Sequence, residues 1–155
     1  ITVGTFLPKS RAIATAALDA LPKEILVEFQ NGSYSAASLA HEGSGIAIYG
    51  FSDAAVLPKV SSPLLVAASD LKLGETALAL SADGTAATGI VARVSAKGIH
   101  TTLPDIGAGS AVVNLSGNLI GIGAGATPGF LISAEKITAL LAATSTVATS
   151  TAAVR

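Results

Sequence analysis

Val112–Gly123 reads VVNLSGNLIGIG. Two apolar runs flank Ser116-Gly117-Asn118, the pattern of strand, tight turn and strand. Ser110–Leu115 forms one arm of this glycine-rich hairpin and Leu119–Gly123 the other. The surrounding stretch, Ile106–Ala134, carries no charged residue. It still fails as a membrane helix, which needs about 20 consecutive apolar residues. Asn114, Ser116, Asn118 and Pro128 interrupt it, as do glycines at 107, 109, 117, 121, 123, 125 and 129, and glycine at that density breaks helices. Short buried strands joined by tight turns account for it.

Strand signals extend outward on both sides. Upstream lie Thr2–Leu7, Ala12–Ala16, Glu24–Gln30, Tyr34–Ala40, Ile46–Tyr49, Pro63–Ala67, Thr76–Ser81, Thr88–Ser95 and Ile99–Thr102. Asn31-Gly32 and Ala82-Asp83-Gly84 supply turn residues that tolerate positive φ. Phe130–Ile132 is the last strand. A helix follows over 133–143, with Ser133 as its cap and Ile137, Leu140 and Leu141 on one face. Residues 144–155 are a Ser/Thr/Ala-rich tail or linker. Many short strands and one terminal helix predict an all-β barrel or sandwich.

Composition narrows the function classes. The 155 residues are 50% hydrophobic but only 4% aromatic, so Val, Ile, Leu and Ala must build the core. The net charge is −1 and the nine Lys and Arg are scattered, which leaves no basic stripe for nucleic acid. There is no cysteine, hence no disulfide, thiolate catalysis or zinc–thiolate site. Charged residues make up 12%, about half the usual share, which predicts a surface partly covered by a partner. The absence of methionine implies that Ile1 is not a native start: either processing, which would have removed a signal or anchor, or a chosen boundary made this N-terminus.

Four segments in order resemble one family. Pro63–Ser81 (PLLVAASDLKLGETALALS), Thr88–Ser95 (TGIVARVS), Val112–Gly123 and Gly129–Ile137 (GFLISAEKI) are similar to the second barrel of HtrA (DegP-like) serine proteases. In the first half, Gly4–Leu7, Glu24–Gly32 and Ile46–Ile48 resemble that family's early strands, and its first strand has no counterpart. The resemblance implies a trypsin-like double six-stranded β-barrel with a C-terminal helix, barrel 1 over about 1–60 and barrel 2 over about 63–132. It also implies an extracytoplasmic location, periplasmic, secreted or cell-surface, and frequent oligomerisation. Any membrane association would come through segments outside this chain.

The family's catalytic positions are degenerate here. Its histidine falls on Leu18, or on Ala17 if the gap moves. Its acid falls on Gly45, with Asp19 and Glu42 out of register. Its serine falls on Ala108 counting back from Val113-Asn114, or on Ser110 counting forward from Ile99–Thr101. Neither Leu nor Ala accepts a proton, and a serine without a base is an ordinary alcohol. The resemblance therefore implies a pseudoprotease acting as a protein-binding or structural domain, with a protein partner or a homo-oligomer and no cofactor. One alternative is an active endopeptidase using Ser110. A second is a transition-metal module using His41 or His100, with Glu42 or Asp105 as a carboxylate ligand. The spacing of the two histidines matches no ligand motif. Gly121–Gly125 precedes a proline and a strand instead of opening a helix, so it is no phosphate loop.

Overall fold

A computed structural model describes residues 2–17, 19–81, 83–104 and 106–147. Thr5–Leu7 (β1), Ala12–Ala16 (β2), Glu24–Glu28 (β3), Tyr34–Gly43 (β4) and Ile46–Phe51 (β5) form an antiparallel sheet in the order β1-β2-β5-β4-β3. Thr76–Leu80 (β6), Ala86–Ser95 (β7), Gly98–Thr101 (β8), Ala111–Val113 (β9), Leu119–Gly123 (β10) and Phe130–Ser133 (β11) close into a six-stranded barrel, ordered β10-β11-β8-β7-β6-β9. Ala134–Val147 (α1) follows directly. The molecule is thus all-β with one terminal helix. It has a single closed barrel, and the N-terminal half is an open five-stranded half-barrel where a second six-stranded barrel was expected.

Three hairpins share one local device. Phe29 N–H donates to Ser33 O, Ser81 N–H to Thr85 O and Asn114 N–H to Asn118 O, at 2.8, 3.0 and 2.9 Å. Each pair closes a three-residue loop whose last member, Gly32, Gly84 or Gly117, has φ of 76–82°. This is a turn followed by a left-handed glycine, a conformation that costs glycine no steric clash. Asn31 Oδ1, Asp83 Oδ1 and Asn114 Oδ1 then accept amide protons from Ser33, Thr85 and Asn118. Asn31, which composition alone would also allow at positive φ, does not take it.

Several boundaries differ from expectation. The first strand begins at Thr5 instead of Thr2, and Pro63–Ala67 is no strand. Its Leu65 makes only an isolated parallel bridge to Leu119, flanked by Val66 N–H to Leu119 O and Leu119 N–H to Leu64 O. The reason lies in register: β11 takes that side of β10 from Gly121 onward, so only Leu119 remains available. Ser133 ends β11 and directly precedes α1, the position expected of its cap, and α1 runs to Val147, into the expected tail. Residues 148–155 of that tail lie outside the described residues. Ile137 is buried, and Leu140 and Leu141 pack beside it, as the helical spacing predicts.

Three apolar clusters form the core, and the third joins the halves. Ala77, Ala79, Val91, Ile99, Val112, Ile120 and Leu131 fill the barrel, as a barrel this narrow allows. Ile13, Val27, Ala37, Ala47, Tyr49 and Phe51 lie on the other face of the open sheet. Between them, Ala14, Ala16, Ile46 and Ile48 from the sheet meet Leu119, Ile122, Ile132 and Ile137 from the barrel and helix. A polar stitch crosses this seam, Thr5 Oγ1–H donating to Gly109 O at 3.1 Å, while Thr15 Oγ1–H holds Val3 O within the N-terminal half at 2.7 Å. Gly109 has φ +84°, and a Cβ there would run into Val3 O and Thr15 Oγ1.

Gly109→Ala is therefore expected to destabilise the fold by about 2–5 kcal/mol, combining left-handed strain with overpacking. Thermal unfolding should show a fall of about 5–15 °C, and an unchanged transition would contradict the seam. A second expectation concerns the Asp83 turn, where Thr85 donates from both its hydroxyl and its amide. These bonds hold the Asp83 carboxyl below its ordinary value. A lowered folded pKa stabilises above the unfolded value, about 3.9, and that contribution is lost as pH falls through the folded value. NMR titration of Thr85→Ala should move the Asp83 midpoint upward, with Thr85→Ser restoring it.

Candidate functional site

The positions that the resemblance assigns to a triad converge on the seam between sheet and barrel. Ala17 follows β2, and its N–H donates to Gly45 O at 2.8 Å, so the histidine and acid positions touch through the backbone. Leu18, the other histidine candidate, lies outside the described residues. Ser44 and Gly45 join β4 to β5 with φ of 53° and 80°, the two consecutive positive values of a tight two-residue hairpin turn. A Cβ on Gly45 would stand 3.4 Å from Ile132 Cδ1. The acid position is thus a turn glycine facing the apolar seam. At the positions that the resemblance assigns to base and acid, Ala17 carries a methyl group and Gly45 a hydrogen atom, neither of which accepts or orients a proton.

The serine candidates occupy the loop that enters β9. Gly107 to Ser110 is a turn: Ser110 N–H donates to Gly107 O at 3.0 Å, with Gly109 left-handed at its third position. Gly109 N–H donates to Gly123 O at 2.8 Å, and Gly123 N–H returns a bond to Ser110 O at 2.9 Å. An oxyanion site needs amide donors aimed at one empty point about 3 Å away. Here the amides of Gly109 and Ser110 are both committed to carbonyls. Ser110 is 2% exposed, and Ala108 packs into the seam cluster with Ala16 and Ile46. The loop serves as a joint: Thr5 grips Gly109 from the sheet side while Gly123 holds it from the barrel side.

The remaining candidates are dispersed. His41 is half-buried on β4, opposite Ile48, and Glu42 beside it is exposed opposite Ala47. His100 belongs to β8 in the barrel, and its ring leans on Phe130 with centroids 4.9 Å apart. Asp105 lies outside the described residues. Among the described residues no three His, Asp or Glu side chains gather as a metal site would require. The metal reading gains no support from this arrangement.

A shallow groove of about 590 Å³ runs beside α1, lined by Ser69, Ser95, Ser133, Glu135 and Lys136. Its charges are already engaged: Glu135 accepts the Ala68 N–H at 3.3 Å, and Lys136 Nζ donates to Lys97 O at 2.8 Å. No helix among the described residues is long and apolar enough to cross a membrane. Sequence reasoning missed Thr5, the buried hydroxyl that fastens the serine loop to the sheet, and Thr15, which holds Val3 beside it. Threonine inside a strand gives no signal that distinguishes a stitch from an ordinary β-former.

In comparisons with protein families and with curated proteins, the chain matches no family and no curated protein. The closed barrel, the half-barrel sheet and the terminal helix are compatible with a trypsin-like arrangement.

Proposed function

We propose that this chain is a catalytically inactive homologue of trypsin-like serine proteases that works as a protein-binding or structural domain. The observation that carries the reading is the Gly107–Ser110 turn, in which the Ser110 amide, a donor that an oxyanion site built on Ser110 would need, is bonded to Gly107 O. The Ala17–Gly45 contact supports it, because neither side chain can move or orient a proton. Absence of triad members costs such an enzyme about four to six orders of magnitude in rate. What remains is a rigid frame with open sheet edges and little surface charge. By resemblance, such a domain works outside the cytoplasm, alone or as an oligomer.

Incubation of the folded protein with a fluorophosphonate probe is expected to leave Ser110 unlabelled, as judged by intact mass. A stoichiometric adduct that disappears in Ser110→Ala would overturn the reading and restore the endopeptidase alternative.

A further inference from the structure

The half-barrel has two free edges, and they are unequal. The β1 edge is three residues long, and its Thr5 is buried and bonded to Gly109 O. The β3 edge is longer and barer. Among the described residues β3 pairs with β4 alone, in the register Glu24↔Ser38 to Glu28↔Tyr34. Two bonds at its ends fix the phase of this ladder: Phe29 N–H to Ser33 O and Leu39 N–H to Lys23 O, both 2.8 Å. Antiparallel bonding alternates along a strand, so Ile25 and Val27 face β4 with their amides and carbonyls. The amides and carbonyls of Glu24, Leu26 and Glu28 therefore point away from the sheet.

The side chains of those same three residues share the outer face. Leu26 is 70% exposed, and both glutamates are exposed. Lys23, one residue earlier, falls on the opposite face by alternation. Among the described residues no salt bridge engages Glu24 or Glu28. Glu28 meets the exposed Tyr34 across the ladder, where it accepts a bond from the phenol and raises its pKa. The inner face next to this edge is only partly covered, with Ile25 and Phe29 half-buried.

We propose that the β3 edge accepts an extended segment of a partner protein with the pattern basic–x–apolar–x–basic, which adds as a further antiparallel strand. This specifies the partner for the protein-binding role proposed above and rests on that reading. Backbone groups of Glu24, Leu26 and Glu28 supply the ladder, as in other strand-addition complexes. Directly opposed side chains then lie about 5 Å apart, so two basic residues meet Glu24 and Glu28 while an apolar one covers Leu26. The x residues turn toward Ile25 and the half-covered inner face, which favours β-branched types.

The test uses the whole ¹⁵N-labelled chain and two capped heptapeptides, Ser-Lys-Thr-Leu-Thr-Lys-Ser and its counterpart with glutamate for both lysines. The basic peptide is expected to shift the amides of Glu24, Leu26 and Glu28 and to slow their solvent exchange. The acidic peptide should bind about tenfold more weakly, and a Glu24→Lys/Glu28→Lys variant should reverse that preference. Leu26→Pro removes an outward amide the sheet does not use, so the protein should stay folded and lose the response. No shift on β3 with either peptide would overturn the proposal and leave the glutamates as guards against edge pairing. Shifts confined to another surface would overturn it too, while leaving the protein-binding role standing. Concentration-dependent shifts on β3 without peptide would replace the basic partner with a second copy of this chain. A probe adduct on Ser110 would sink the pseudoprotease reading without touching the edge.

Discussion

The fold depends on β10 being apolar on both faces. Ile120 points into the barrel and Leu119 and Ile122 into the seam, all three without exposed surface. Strict alternation would put Leu119 and Ile122 on opposite faces, but the register shift between Leu119 and Gly121 turns them the same way. Gly121 and Gly123 make the crowding possible, since a Cβ on either would press on Ile132 O or Gly107 O. One five-residue strand thereby serves two cores. Each of its buried isoleucines contributes roughly 1.5–3 kcal/mol of burial free energy. The half-barrel and the helix both rest on what β10 presents outward.

That arrangement explains why the serine loop is built as it is. Gly109 and Gly123 exchange bonds with the loop and β10, and Thr5 closes on Gly109 from the sheet. An oxyanion site asks its amides to stay unpaired until a substrate arrives, which stores an unsatisfied buried donor in the resting protein. The Gly109 and Ser110 amides are bonded to Gly123 O and Gly107 O, which fixes the loop on the barrel, and Thr5 joins that loop to the sheet.

Sequence patterns revealed some of this more readily than the rest. The Asn-Gly, Asp-Gly and Ser-Gly turns announced the three hairpins because left-handed glycine is a local requirement. The unbroken apolar run of β10 and the spacing of Ile137, Leu140 and Leu141 announced buried elements for the same reason. Pro63–Ala67 looked like a strand because its residues are apolar, yet whether it pairs depends on what β11 leaves free on β10. The open edge of the half-barrel is likewise a property of partners, not of composition. At the positions that the resemblance assigns to base and acid the motifs pointed to Ala17 and Gly45, but their direct hydrogen bond depends on how the end of β2 meets the β4–β5 turn. Ser110 looked like a stranded nucleophile, and only its amide bond to Gly107 showed a structural turn.

The bond from Thr5 to Gly109 joins residues 104 positions apart. Closing a loop of that length carries an entropic cost that local hairpins do not face, and folds rich in such closures assemble slowly. The hairpins β3–β4 and β6–β7 need only their own turns, whereas the seam needs the finished barrel on one side and the finished sheet on the other. During synthesis the first half emerges with its seam face, Ala14, Ala16, Ile46 and Ile48, awaiting Leu119, Ile122, Ile132 and Ile137. The architecture therefore sets an order of events in time: the seam face of the N-terminal sheet stays uncovered until β10, β11 and α1 have been made.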